Sequence, residues 1–237
     1  MLLPKLIRSA RNLYWRILPE TLKRCIFRNS GDYWEKRYRA GGNSGSGSYG
    51  SFAQFKAETL NTFVAENVVR SVIEFGCGDG NQLALARYPR YHGVDVSPAA
   101  VSLCRERHAQ DRTKTFATLD AYHGETAELA LSLDVIYHLV EDAVYEDYMR
   151  RLFTSATHFV AVYSSNTEDN HDVQGPHIRH RQFTAWVEEN AREWTLLRHI
   201  PNPHPYEGDG TRGSFADFFL FGRKPDASPT SGIASAL

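Results

Sequence analysis

The sequence predicts a doubly wound α/β fold: a mainly parallel seven-stranded sheet with an antiparallel last strand and helices on both faces. Three features predict it. Short apolar runs alternate with helical patterns from residue 71 onward, as in a parallel sheet covered on both sides. The first of these runs stops at alternating glycines, Gly76, Gly78 and Gly80. The last two runs have no helix between them, so they form an antiparallel hairpin at one edge.

Residues 1–30 form a basic amphipathic segment. Leu3, Leu6, Ile7, Ala10, Leu13, Tyr14, Ile17 and Leu18 share one helical stripe. Lys5, Arg8, Arg11, Arg16, Lys23, Arg24 and Arg28 stand there against the single acid Glu20. Such a helix either packs on its own protein or lies on an anionic membrane surface or a partner. The main domain is expected over 31–223. Within it, the glycine- and serine-rich loop 41–50 reads as a flexible linker by composition. A helix over 52–68 follows, with Phe52, Phe55, Leu60, Phe63 and Val64 as its apolar face. Strands are expected over 71–75, 91–96, 114–119, 128–133, 158–163, 194–200 and 214–221. A helix is expected to begin directly after the glycines. Ser97 caps another, with Pro98 at its first position. Further helices are expected over 145–155 and 181–192, and residues 224–237 read as a disordered tail.

At 237 residues the chain suits one well-buried domain better than two small ones. Hydrophobic residues at 42% and charged residues at 23% exclude a largely disordered chain. A net charge of −1 leaves no general attraction for nucleic acid, so none is expected as partner. Cys25, Cys77 and Cys104 are scattered without metal-like pairing and read as reduced thiols of a cytoplasmic protein. No stretch reaches the roughly 20 apolar residues of a membrane span, and no secretory signal is expected.

The segment Val72-Ile73-Glu74-Phe75-Gly76-Cys77-Gly78-Asp79-Gly80 carries the strongest signal. Glycines there let the backbone turn sharply and approach a ligand closely. A dinucleotide site would want a further glycine where Asn81 stands, which argues against a nicotinamide oxidoreductase. The segment resembles the first motif of class I S-adenosylmethionine (SAM)-dependent methyltransferases, with Glu74, Gly76, Gly78 and Gly80 on its key positions. The resemblance implies that this loop passes under the methionine part of SAM. It also implies that Asp95, at the end of the second strand, accepts both ribose hydroxyls. Asp120, ending the third strand, falls on the family's adenine-binding position. Cys77, Val96, Ala121 and Leu133 are expected beside the same cofactor. Upstream, Tyr33-Trp34-Glu35-Lys36-Arg37-Tyr38 is similar to an aromatic-basic stretch that forms part of a lid over SAM in many relatives. Trp34 and Arg37 are therefore expected at the cofactor, and loop 41–50 becomes a candidate closing loop.

The fourth strand runs into Asp134-Val135-Ile136-Tyr137-His138, similar to the family's fourth motif. It lacks the prolines of nucleobase amine methyltransferases. Methyl transfer is an in-line displacement, so the protein must orient the nucleophile and take its proton. His138 is the expected base, and Asp134 is the second catalytic candidate. A rival reading places magnesium on Asp134, Asp169 and Asn170; no metal is expected. The polar stretch after the fifth strand offers His177, Arg179, His180 and Arg181 to grip a polyol or acidic substrate. The sequence thus predicts O-methylation of a small hydroxylated substrate, such as a glycan sugar or natural product. The alternative is a non-catalytic scaffold of the same fold, docking through its basic N-terminal helix.

Overall fold

The structure is a computed structural model that describes residues 27–171 and 175–225. The basic stripe expected over 2–19 and nearly all of the tail expected over 224–237 lie outside the described residues.

Seven strands form one sheet: β1 (Val72–Phe75), β2 (Tyr91–Asp95), β3 (Lys114–Thr118), β4 (Ala127–Leu133), β5 (Ala156–Ser164), β6 (Trp194–Ile200) and β7 (Asp217–Arg223). Their order is β3-β2-β1-β4-β5-β7-β6. β1 to β5 pair in parallel, and β7 lies antiparallel to both neighbours. The expected edge hairpin is therefore β6–β7.

Helices α1 (Ser30–Arg39), α2 (Gly50–Glu66), α3 (Pro98–Arg107), α4 (Asp142–Thr154) and α5 (Phe183–Asn190) complete the described fold. Strand alternation divides the core into two layers. Val72 of β1 joins Leu60, Phe63 and Val64 of α2 and Val101 of α3 on one face. Ile73 and Phe75 join Met149 and Leu152 of α4 and Phe183 of α5 on the other. Met149 and Leu152 are fully buried, and each such burial contributes about 1.5–3 kcal/mol. Ser97 Oγ accepts from Ala100 N at 3.1 Å, which starts α3 at Pro98 as expected.

One expectation fails. The glycine loop leads into a single 3-10 turn, Gln82–Leu85, rather than a helix. Pro89 bars helical backbone just ahead of it. The space beside the loop is also filled by α2, whose Asn61 side chain bonds Leu85 O at 3.0 Å and Arg87 N at 2.7 Å.

Candidate active site

The strand order reverses direction between β1 and β4, and in open α/β sheets ligands sit at the carboxyl ends of the strands at such a switch point. A cleft opens there, lined by the glycine loop, the end of β2 and the start of the segment after β4. Gly76 (φ 88°) and Gly78 (φ 59°) hold left-handed backbone. A Cβ at Gly76 would come 2.4 Å from Val135 Cγ2, so only glycine fits both its conformation and its neighbour.

Asp95 anchors the loop. Its Oδ2 accepts from Gly78 N at 2.9 Å and its Oδ1 from Ser97 N at 2.9 Å. Each oxygen keeps acceptor capacity for a further donor. Burial pushes the Asp95 carboxyl up to about 6, against the two backbone N–H groups that favour its charge. Glu74 beneath the cleft is fully buried. Burial raises its pKa to about 7, opposed by the Tyr91 hydroxyl, which donates at 2.6 Å, and by the charge of Lys56.

Helix α1 roofs the cleft and is pinned at three strand ends. Ser30 N and Oγ both donate to Glu141, after β4, at 2.9 and 2.7 Å. Glu35 accepts from Ser97 Oγ, after β2, at 2.5 Å. Tyr38 OH meets Ser44 Oγ at 3.0 Å, and Ser44 binds Asp79 of the glycine loop. Loop 41–50 is therefore docked on the glycine loop, not extended as a linker. Tyr49 OH donates to Asp79 Oδ2 at 2.6 Å, and Asn81 Nδ2 donates to Ser48 O at 2.7 Å.

A second cavity adjoins the first. Tyr33, Arg37, Tyr137, His177 and Phe215 line it, and Trp34, Ser44, Asp134 and His138 line both cavities. At this seam Asp134 has left-handed backbone (φ 60°), unusual for a non-glycine residue. Its Oδ1 accepts from Tyr137 OH at 2.8 Å and its Oδ2 from Lys56 Nζ at 2.5 Å. His138 Nδ1 lies 3.0 Å from His177 O. A carbonyl only accepts, so Nδ1 carries the hydrogen and Nε2 is the acceptor. Burial lowers the His138 pKa to about 4, outweighing the His177 carbonyl, so the ring is neutral at pH 7. Tyr33 stacks on His177 at 4.3 Å, and His177 stacks in turn on His138 at 5.4 Å. Trp34 meets His138 edge-on at 4.8 Å.

Of the residues expected at the cofactor, Glu74, Gly76, Cys77, Gly78, Asp95, Val96, Leu133 and Trp34 line the cleft. Gly80, Asp120 and Ala121 do not: Leu119 faces the cleft, while Asp120 and Ala121 are exposed on the 3-10 turn Leu119–Ala121. Arg37 lines the second cavity instead, its Nε donating to Asn43 O at 2.6 Å. Among the residues expected to grip substrate, His177 alone reaches that cavity. Arg181 donates to Leu139 O, to Val140 O and to Asp142, and its guanidinium lies 4.4 Å from the Tyr145 ring centroid. Arg179 bonds Val140 O at 3.1 Å, and His180 Nδ1 meets Ser165 Oγ at 2.7 Å. These three brace the walls. Asn170 Nδ2 bonds Glu168 O and His180 O rather than facing Asp134. Among the described residues no group of three or more His, Cys, Asp or Glu side chains is arranged to hold a metal.

Sequence reasoning missed Lys56, Gln82, Tyr137 and Phe215. Gln82 lines the cleft with a buried Oε1 that has no hydrogen-bond partner, while its Nε2 donates to Ala53 O at 3.0 Å. An unpartnered buried acceptor suits an ammonium donor. With a strand-end carboxylate for a diol and apolar walls at Val94, Leu119 and Val144, the residues present fit SAM.

Residues 73–157 match the model of the methyltransferase domain family. None of the curated proteins compared matches the chain in sequence. In fold, the chain is similar to the N-methyltransferase NodS from Bradyrhizobium japonicum WM9 in complex with S-adenosyl-L-homocysteine (SAH). The TM-score is 0.62 at 14% identity, covering 84% of this chain and 100% of that one. Magnesium protoporphyrin IX methyltransferase (ChlM) from Synechocystis PCC 6803 with bound SAH gives 0.57 at 17%, covering 87% and 100%. The methyltransferase domain of bacterial CtHen1-C gives 0.56 at 21%, covering 73% and 98%. Residues 73–157 thus match a methyltransferase domain family, and the chain shares the fold of solved methyltransferases.

Proposed function

We propose that the chain transfers a methyl group to a hydroxyl of a small acceptor, such as a glycan sugar or a natural product, bound in the second cavity. The observation that carries this reading is the seam, where Asp134 and a neutral His138 line both cavities. SAM held in the cleft would supply a methyl group on a sulfonium, a centre open to in-line attack by a hydroxyl oxygen with a neutral thioether as leaving group. The Asp134 carboxylate would orient the hydroxyl while His138 Nε2 takes its proton as the new bond forms. Tyr33, Trp34, Tyr137 and Phe215 offer ring faces and edges to the acceptor. Asp95 accepts the ribose hydroxyls, and Gln82 Oε1 accepts from the amino-acid tail.

A nitrogen acceptor, the kind implied by the description of NodS as an N-methyltransferase, is the competing class, with an amine as its simplest case. A cationic amine would need net negative charge at the seam, and Lys56 balances Asp134 there while Arg37 stands in the same cavity. A neutral hydroxyl suits this balance better. Incubation with methyl-labelled SAM and paired hydroxylated and amine acceptors tests the reading. Methyl ethers are the expected products by mass spectrometry, whereas transfer only to amines or RNA would overturn it.

A further inference from the structure

A lysine stands on the buried stripe of α2. Phe52, Ala53, Ala57, Leu60 and Phe63 pack inward from this helix, and Lys56 lies one turn after Phe52 and one turn before Leu60. Its side chain is 0% exposed. Nζ donates to Asp134 Oδ2 at 2.5 Å and lies 5.3 Å from the Tyr163 ring centroid. Tyr137 holds the other oxygen of Asp134, and Asp134 N donates to Tyr163 O at 2.9 Å. Removing two charges from water is costly, and an apolar pair of similar size often stabilises as well or better. A buried ion pair at this point of the stripe is therefore explained by what it does at the seam.

We infer that Lys56 is a positioning residue for methyl transfer: it fixes the Asp134 carboxylate where the two cavities meet and balances its charge there. The inference rests on the reading of the cavities given above. A sulfonium is positive before transfer and the thioether is neutral after it. An unbalanced carboxylate beside it would hold the methyl donor more tightly than the product without helping the transition state. The Lys56 ammonium removes that bias and leaves Asp134 oriented toward the acceptor proton.

Calorimetric titration of the full chain with SAM and with SAH tests this. In Lys56→Met the ratio of SAM to SAH affinity is expected to rise about tenfold, because the carboxylate then acts alone on the sulfonium. Lys56→Arg should restore the original ratio to within about twofold. Asp134→Asn, which leaves the ammonium unbalanced, should move the ratio about tenfold the other way and stands in if Lys56→Met does not fold. Equal loss of both ligands in Lys56→Met would assign the lysine to the amino-acid tail they share and overturn the inference. An unchanged ratio in the variants that fold would overturn it as well. Failure of the unsubstituted chain to bind either ligand would instead remove the methyltransferase reading itself.

Discussion

Ser44 and Asp79 exchange two hydrogen bonds: Ser44 N donates to Asp79 Oδ2 at 3.2 Å, and Asp79 N donates to Ser44 Oγ at 3.0 Å. This couple closes loop 41–50 onto the glycine loop, and ligand exchange is expected to break it. Asp79→Ala should release SAH about tenfold faster with little change in association. Stopped-flow fluorescence from Trp34 in the cleft wall would report it. An unaltered dissociation rate would mean that the loop does not gate the cleft.

Asp95 must be ionised to accept two hydroxyl hydrogens. Its carboxyl titrates near 6, raised by burial against the Ser97 and Gly78 N–H groups. SAH affinity should therefore climb as pH rises from 5.5 to 7.5, and Asp95→Asn should flatten that dependence. Asp95→Ala should weaken SAH at least about a hundredfold, since the loop loses its anchor and the ribose its acceptor. Isothermal titration across pH gives both readings, and a wild-type curve that does not bend would contradict the first.

His138 links pH to stability rather than to affinity. In the unfolded chain it takes a proton near 6.5, but burial delays this to about 4 in the folded one. The stability gained by keeping the ring neutral is complete above about 6.5 and is lost as pH falls toward 4. Thermal melts at pH 7 and pH 5 should therefore differ more for the native chain than for His138→Gln. The same substitution should lower turnover about 10²–10⁴-fold while leaving SAH affinity nearly unchanged. A parallel loss of affinity would deny His138 a role confined to the acceptor side.

Arg181 supports the wall rather than the substrate. Arg181→Met would strip donors from Leu139 O and Val140 O and should cost about 2–4 kcal/mol of stability. Arg181→Lys should recover only part of this, because a lysine cannot bridge both carbonyls and Asp142 at once. Denaturant titration measures the difference. If acceptor KM rose while stability held, Arg181 would belong to the substrate site after all.

Much of the fold was legible because each signal was local. Alternation in the short apolar runs located the sheet, Ser97 and Pro98 marked the start of α3, and the glycines with Asp95 marked the cleft. The helix expected after the glycines was not resisted by any residue before Pro89, and what displaces it is α2, a neighbour only in space. The polar stretch 177–181 announced charge without announcing partners, and carbonyls of the segment after β4 claim Arg179 and Arg181. Asp120 was placed by analogy, yet the turn at Leu119–Ala121 directs Leu119 to the cleft. Lys56 could have been found: it interrupts the very stripe that identified α2, one turn from Phe52 and from Leu60.

With α2 standing where a helix after the glycine loop would lie, residues before β1 become part of the cleft wall. The family match spans 73–157, which includes the glycine loop, Asp95 and Asp134. A polypeptide trimmed to that span would keep these motifs and lose the α1 roof, Lys56 and most of the second cavity. The stretch that matches the methyltransferase family is thus distinct from the flanking residues that line most of the second cavity.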